Sequence, residues 1–265
     1  MTILISVQEH HLPGENLIEK WTNAQAYGFD GIELLGFGSV KFTARKKELA
    51  EAKAAGVVIS STCVAMDHFI GDTNADKRAD AVAQMKVLLT GTAAAGGIGV
   101  VTPGAYALGS TALPPWTKPR SDEETFEILV RALTELGRHG SEVGASVLLE
   151  PLNRYEDFQV NTLRDALRLV EAVGMKNVGI MPDTFHMGIE ETDIPAALRA
   201  VGPHILHIQV ADNTRLEPGH GSYDWPSTLS ALDDIGYDGW LAMECGLSGP
   251  AADVLPGVPQ LLRRR

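Results

Sequence analysis

The chain has 265 residues, 45% of them hydrophobic, and a formal net charge of −12. The length suits a single α/β barrel, and the hydrophobic content is sufficient for a large core. The negative charge argues against nucleic-acid binding, which requires a basic surface. Two isolated cysteines, Cys63 and Cys245, form neither a disulfide framework nor a CxxC metal motif.

The N-terminal sequence lacks the basic and apolar regions of a signal peptide, and no long apolar run indicates a membrane span. These features predict a cytoplasmic protein with neither membrane nor nucleic-acid partners. No linker or low-complexity tract divides the chain, so we expect one domain over residues 1–265.

Short apolar segments alternate with longer amphipathic segments along the chain. Eight apolar segments predict buried strands, at residues 2–7, 31–36, 57–65, 96–104, 146–152, 178–183, 204–212 and 239–245. The amphipathic segments predict helices at residues 16–28, 43–56, 76–96, 121–144, 162–174, 193–202 and 225–236. Strands that alternate with helices form a parallel sheet, and eight such units predict a single (β/α)8 TIM barrel.

The longest irregular segment, residues 103–120, is rich in proline and glycine and follows the fourth strand. A loop of this length is usually functional or mobile, and in a barrel it would lie on the catalytic face. Trp116 in this loop and Phe37 after the second strand are candidates for the apolar wall of a binding site. Aromatic residues in such loops are as often plain packing.

Polar side chains mark the ends of four successive predicted strands, where TIM barrels place their active sites. They are Glu150, Asp183, Gln209 and Glu244. A single one of them would be read as a loop-edge acid or a core amide, but the set favours a shared role. Close buried carboxylates require a neutralising cation. Four oxygen donors favour Mn²⁺ or Mg²⁺ over Zn²⁺.

The segment HILHIQVAD (204–212) places polar residues inside an apolar strand. Ile208 and Val210 share one face of this strand, and His207 and Gln209 share the other. The apolar face should meet the helices, so we expect the polar face to point into the barrel. Polar residues near strands two and three are as consistent with surface or supporting positions as with a direct role, namely Glu33, Asp67 and His68.

The chain resembles the xylose-isomerase-like TIM-barrel family. The resemblance is carried by LLEPLNRYE (148–156), PDTFHMGIEE (182–191), HIQVADNTRLEPGHGSYDW (207–225) and GYDGWLAMECG (236–246). Within the family these segments are most similar to the ketose 3-epimerases of the tagatose and allulose group, with hydroxypyruvate isomerases as near relatives. The N-terminal half matches mainly in its alternation of strands and helices and in the segment AYGFDGIELLG.

The resemblance implies one divalent metal ion held by Glu150, Asp183, Gln209 and Glu244. Mn²⁺ is the first expectation, with Mg²⁺ and Co²⁺ as alternatives. The epimerases usually have histidine at the third position, whereas hydroxypyruvate isomerases have glutamine there. Gln209 therefore bears on the substrate and on the preferred metal. The resemblance also implies a homodimer or homotetramer.

The resemblance assigns acid–base catalysis to Glu150 and Glu244, which would epimerise a free ketose at C3 through a cis-enediolate. Two carboxylates on opposite faces of a planar enediolate can exchange protons from both sides, and a metal ion stabilises the developing charge. The implied substrate-binding residues are Glu156, His186 and Arg215.

Other roles and other reactions stay open at this point. His186 could support Asp183 instead, and Arg215 could form a weak surface ion pair with Glu217 or Asp212. Gln209 favours an aldose–ketose isomerase of the hydroxypyruvate isomerase type, and an enediolate could also eliminate water in a dehydratase. A non-enzymatic sugar-binding barrel would need no acid–base pair. The absence of a GxxxxGK[ST] loop places a free sugar before a phosphorylated one.

Overall fold

A computed structural model describes residues 3–107 and 117–263, whose strands form one parallel sheet. The strands are β1 (Leu4–Gln8), β2 (Gly31–Gly36), β3 (Ile59–Val64), β4 (Gly99–Pro103), β5 (Ser146–Glu150), β6 (Val178–Ile180), β7 (Ile208–Val210) and β8 (Trp240–Met243). All eight predicted strands are confirmed. Most are shorter than predicted, and β3, β4, β7 and β8 are shorter at both ends.

The sheet closes into a barrel. Its strand order is β6-β5-β4-β3-β2-β1-β8-β7, which leaves β6 and β7 at the two ends. Parallel bridges join these ends at Ile180 with Ile205 and at Asp183 with Gln209. Two backbone hydrogen bonds also join the ends. The Gln209 N–H donates to the Pro182 carbonyl at 2.9 Å, and the Leu206 N–H donates to the Ile180 carbonyl at 3.1 Å. The predicted (β/α)8 TIM barrel is therefore confirmed.

Helices follow the strands and cover the outside of the barrel. They are α1 (Leu17–Ala26), α2 (Ser39–Ala44), α3 (Lys46–Ala54), α4 (Ala75–Ala95), α5 (Asp122–Val143), α6 (Leu163–Val173), α7 (Thr184–Glu190), α8 (Ile194–Val201), α9 (Trp225–Asp234), α10 (Ala251–Val254) and α11 (Gly257–Leu262). Within the described residues, none of these helices is long and apolar enough to cross a membrane.

The helix predictions differ from the structure in four places, and two of these are the short helices α10 and α11, which no predicted segment covers. The single helix predicted over 43–56 is two helices, separated at Arg45, whose guanidinium makes two 2.7 Å hydrogen bonds to Glu9. Helix α7 was not predicted, because it has only seven residues. It begins where the Asp183 side chain accepts a 2.7 Å hydrogen bond from the Phe185 N–H, which is an N-cap.

The barrel interior is apolar on one side and polar on the other. Cys63, Val101, Leu148 and Met181, from the β3–β6 side, form a small apolar cluster separate from the main core. On the β1, β2 and β7 side, Glu33 contacts both His207 and Gln209. The prediction that the polar face of strand seven points inward is thus confirmed.

Local sequence signals fix the helix ends, and α6 illustrates this best. Thr162 and Asp165 form a reciprocal capping box, in which each side chain accepts the other residue's backbone N–H. The helix ends at Gly174, whose φ of 64° is a left-handed conformation that glycine adopts at little cost. Between these caps, Leu163, Ala166, Leu169 and Val170 are buried against the barrel.

The capping box gives a stability prediction. Thr162→Ala removes the hydroxyl that accepts the Asp165 N–H, and we expect it to lower the free energy of unfolding by about 1 kcal/mol. Thr162→Ser retains the hydroxyl and serves as the matched control, with a loss of less than half as much. Equal midpoints for the two variants in urea denaturation would contradict the proposed importance of the cap.

Candidate active site

The side chains predicted as metal ligands lie at the carboxyl ends of their strands. Glu150 is the last residue of β5, and Glu244 follows β8. Asp183 follows β6 and pairs with Gln209 of β7 across a parallel bridge. Glu150, Asp183 and Gln209 are buried, and Glu244 is half-buried. The structure therefore brings these residues to one end of the barrel.

A cavity of about 300 Å³ opens at this end. Both predicted acid–base residues line it, together with the predicted substrate-binding residues Glu156, His186 and Arg215. Most of the other lining residues are apolar and include Met66, Phe69, Tyr106 and Leu152. The cavity thus combines charged groups with an apolar wall, as a site for a small polar molecule requires.

His186 lies among the carboxylates and is neutral. Its Nε2 is 3.5 Å from Glu150 Oε1 and 3.7 Å from Asp183 Oδ2. Burial and the positive charge of Arg215 lower the pKa of His186 to about 3. The three residues His186, Glu150 and Asp183 are close enough to hold a metal ion together.

The hydrogen bonds of His186 determine which ring nitrogen carries the proton. Its Nδ1 accepts from the Asn153 backbone N–H at 3.1 Å and from Asn153 Nδ2 at 2.8 Å. The orientation of that amide is fixed because Asn153 Oδ1 accepts the Tyr155 N–H. Arg215 Nη1 lies 3.2 Å from Nε2, but two donors on Nδ1 make Nδ1 the acceptor. A neutral imidazole with an acceptor Nδ1 carries its proton on Nε2, which then donates to the cavity and does not bind a cation.

The carboxyl groups of the site repel one another. Burial, followed by the charges of Glu244 and Asp183, raises the pKa of Glu150 well above its ordinary value. Burial also raises the pKa of Asp183 to about 7, against the influence of Arg215. The pKa of Glu244 is raised by burial and by Glu33. A cation would relieve this repulsion, since it stabilises the ionised form of each acid.

Two buried oxygens of the site lack a hydrogen-bond partner among the described residues, Asp183 Oδ2 and Gln209 Oε1. Asp183 uses its other oxygen as the N-cap of α7, and Gln209 uses its Nε2 to donate to Glu33 at 2.9 Å. Buried polar atoms are otherwise almost always paired. Unpaired oxygens beside acids with raised pKa values fit a hard divalent cation.

Arg215 lies in the site and not in a surface ion pair. Its Nη2 is 4.0 Å from Glu244 Oε2, and its guanidinium lies 4.5 Å from the centre of the Phe185 ring. The backbone of Arg215 has a φ of 56°, which non-glycine residues rarely adopt and which is found at functional sites. Among the described residues the ion pair of Arg215 is with Glu244, whereas Glu217 binds Ser248.

The loop that carries Arg215 is held by the buried carboxylate of Asp212. Its oxygens accept hydrogen bonds from the backbone N–H groups of Asn213, Gly219 and Tyr223 and from Trp225 Nε1. Burial alone would raise the pKa of Asp212, but these hydrogen bonds lower it. The strained conformation at Arg215 is therefore maintained by an ionised acid within the same loop.

Several residues considered from the sequence lie outside the site, and some residues of the site were not predicted. Asp67 is exposed, and His68 pairs with Asp80 at 2.7 Å. Phe37 is 50% exposed and is not among the cavity residues, and Trp116 lies outside the described residues. Sequence reasoning missed Gln8, Cys63 and Asn153. Gln8 and Cys63 carry no local signal, because their partner Glu244 lies far away in the chain, whereas Asn153 lies within the segment LLEPLNRYE.

Comparison with known proteins gives a family match over almost the whole chain. The model of the family described as xylose isomerase-like TIM barrel matches residues 21–264. A 3-dehydro-D-guloside 4-epimerase from Escherichia coli (strain K12) is 34% identical over 240 residues, which cover 91% of each chain. The crystal structure of a 3-keto-D-glucoside 4-epimerase from E. coli, in its apo form, matches with a TM-score of 0.91 and 32% identity, over 98% of this chain and 99% of that chain.

Ketose 3-epimerases match a smaller part of the sequence. A D-psicose 3-epimerase from Enterocloster bolteae is 42% identical over 115 residues, which are 43% of this chain and 38% of that enzyme. The structure of a D-psicose 3-epimerase with D-tagatose, from Clostridium cellulolyticum H10, covers 98% of this chain and 90% of that chain with a TM-score of 0.80. Its identity is 24%, so it shows a shared fold. These relatives are all epimerases, which belong to the isomerase class.

The Asp212 hydrogen bonds give a prediction with a defined pH dependence. Asp212→Asn places an NH₂ group among N–H donors and should lower the free energy of unfolding by about 1–3 kcal/mol at pH 7. Because the pKa of Asp212 is lowered in the folded protein, its stabilisation is present above about pH 4 and is lost as the pH falls through the lowered pKa. Urea denaturation at pH 7 and at pH values below about 4 should therefore show a shrinking difference between the variant and the unmodified protein.

The exposed Asp253 of α10 provides the control. Asp253→Asn should change the free energy of unfolding by less than about 0.5 kcal/mol. A pH-independent effect of Asp212→Asn would contradict the role of its ionised form.

Proposed function

Because the chain belongs to the xylose isomerase-like TIM barrel family, we propose that it is a metal-dependent sugar epimerase that inverts the hydroxyl-bearing carbon beside a ketone. One observation carries the proposal: Glu150 and Glu244, from β5 and β8, line the same cavity. Neither acid has a structural hydrogen-bonding role comparable with that of Asp212. An acid–base pair facing one cavity is what inversion of a carbon requires.

The proposed ligands of the divalent ion are Glu150, Asp183, Gln209 and Glu244. They are supported by the unpaired buried oxygens of Asp183 and Gln209 and by a donor set made of oxygens, which suits Mn²⁺ first, then Mg²⁺ or Co²⁺. His186 is excluded from the set by the proton on its Nε2. When bound, such an ion supplies Lewis-acid chemistry that acidifies the carbon beside a ketone and stabilises a cis-enediolate.

The two glutamates would move the proton. One carboxylate removes it from one face of the reacting carbon, and the other acid returns a proton to the opposite face. Glu244 is held for this task at one oxygen, because its Oε1 accepts a 3.1 Å hydrogen bond from Gln8 Nε2 and a 3.4 Å contact from the Cys63 thiol. Its other oxygen is the one that faces Arg215.

The remaining polar residues of the cavity would hold the sugar. His186 Nε2 can donate to a sugar oxygen, and Arg215 can donate to the oxygens at the reacting end. Glu156 can accept from a hydroxyl, since one of its oxygens binds Asn153 Nδ2 and the other has no hydrogen bond within the described residues. Four acids against one arginine favour a neutral sugar over an anionic one.

Two positions of the ketone fit this chemistry. In a 2-ketose the inverted carbon is C3, and the sequence resemblance and the partial similarity to D-psicose 3-epimerases favour this substrate class. In a 3-keto-glycoside the inverted carbon is C4, and the similarity over 91% of the chain to a 3-dehydro-D-guloside 4-epimerase favours that class. Both reactions invert the carbon next to the ketone, so the same residues serve either one.

The experiment that tests the function is deuterium exchange followed by NMR. The Mn²⁺-loaded protein is incubated in D₂O with free ketoses (fructose, tagatose, psicose and ribulose) and with methyl 3-keto-glucoside. Deuterium at C3 of a ketose, or at C4 of the glycoside, together with the new epimer, would support the proposal and identify the class. Deuterium at C1 with an aldose product, or loss of water, would replace it by an isomerase or a dehydratase.

The acid–base pair gives a direct mutational prediction. Glu150→Gln and Glu244→Gln retain the side-chain shape but remove the base, and we expect each to lower the turnover number by about 10²- to 10⁴-fold. Glu127→Gln, on the exposed face of α5, is the matched control and should retain full turnover. Formation of the epimer at the normal rate in Glu244→Gln would exclude the two-carboxylate mechanism.

A further inference from the structure

Glu33 of β2 is a buried carboxylate that the chemistry proposed above does not use. Its side chain has no exposed surface. In the sheet it is in register with Gln8 of β1 and with Ser61 of β3. Its place inside the polar half of the barrel therefore brings it within reach of residues from several strands.

Both oxygens of Glu33 are fully hydrogen-bonded. Oε1 accepts from Ser61 Oγ at 2.7 Å and lies 3.1 Å from His207 Nε2. Oε2 accepts from Gln8 Nε2 at 3.1 Å and from Gln209 Nε2 at 2.9 Å. A carboxylate with two such partners at each oxygen has no lone pair left for a metal ion or a sugar.

This arrangement decides the orientation of the Gln209 amide. An amide can present either its oxygen or its NH₂ group, and a carboxylate whose partners are donors acts only as an acceptor. Gln209 must therefore turn its Nε2 toward Glu33 and its Oε1 away. That Oε1 is buried without a partner in the described part of the chain, as is Oδ2 of Asp183, its neighbour across the β6–β7 bridge. The reverse orientation would place an NH₂ group there, which cannot bind a cation.

We propose that Glu33 is a positioning residue that holds the Gln209 amide with its oxygen toward Asp183, so that a neutral glutamine can serve as a metal ligand. The inference rests on the metal site of the proposed function. Acceptors also fix the orientation of the Gln8 amide. Its Nε2 donates to Glu33 Oε2 and to Glu244 Oε1, both at 3.1 Å. Glu33 is therefore in hydrogen-bonded contact with two residues that each reach a different part of the metal site.

Glu33→Gln tests the proposal with little change of shape. The new amide can present either its oxygen or its NH₂ group to Gln8 and Gln209, so the amide of Gln209 loses its fixed orientation. We expect the Kd for Mn²⁺, measured by isothermal titration calorimetry, to rise about 10- to 100-fold. The EPR spectrum of bound Mn²⁺ should also change. In a Gln209→Ala background the same substitution should raise the Kd less than about threefold, because no amide remains to be oriented.

Two further variants separate positioning from general destabilisation. Thr62→Val, on the neighbouring strand β3, removes a buried 2.6 Å hydrogen bond to Thr92 of α4. It should lower stability without changing the Kd for Mn²⁺. Glu33→Asp retains the charge but withdraws the carboxylate by one methylene, so it provides a second test should Glu33→Gln fail to fold. Glu33→Asp should likewise weaken Mn²⁺ binding only when Gln209 is present.

The outcomes distinguish this inference from the proposed function. Equal losses of affinity with and without Gln209, or an unchanged affinity in both Glu33 variants, would overturn the positioning role alone. If the unmodified protein does not bind Mn²⁺, the proposed metal site is wrong, and Glu33 then has no ligand to position. A loss that requires Gln209 supports the inference.

Discussion

The burial of several acids at one end of the barrel is the constraint on which the rest of the structure depends. A buried carboxylate is tolerated only when it is protonated, hydrogen-bonded or paired with a cation. Glu33 and Asp212 are each satisfied by four donors. Glu150 and Asp183 have no such set and their pKa values are raised. The satisfied acids hold the framework, and the unsatisfied ones are left for chemistry.

The division of the barrel interior follows from this constraint. Donors for Glu33 must come from inward-facing side chains, so β1, β3 and β7 supply Gln8, Ser61 and His207 with Gln209 where apolar residues would otherwise fill the lumen. Among the described residues, the β4–β6 side carries no comparable buried acid below the mouth of the barrel and is packed with apolar residues such as Leu148. The hydrogen-bonding needs of Glu33 therefore explain why the barrel interior is polar on one side and apolar on the other.

Much of this architecture could be predicted from the sequence, because the signals are local. The period of two in strand seven placed His207 and Gln209 inside, and capping residues such as Thr162 marked the helix starts. The role of Glu33 could not be predicted, since its partners lie between 25 and 176 residues away. The separation of α2 and α3 at Arg45 could not be predicted for the same reason. The acid that binds its guanidinium, Glu9, lies 36 residues earlier.

The site also explains why related barrels can act on different carbons. In the proposed function, the acids, the oxygen donors and His186 surround only one reacting carbon and its ketone. Which carbon of a sugar occupies that place would then depend on how the rest of the molecule packs against the apolar wall at Met66, Phe69 and Tyr106. These residues lie in the loops after β3 and β4, and loops change more readily than strand ends. We therefore expect the loops to determine the position of inversion and the strand ends to supply the groups that invert.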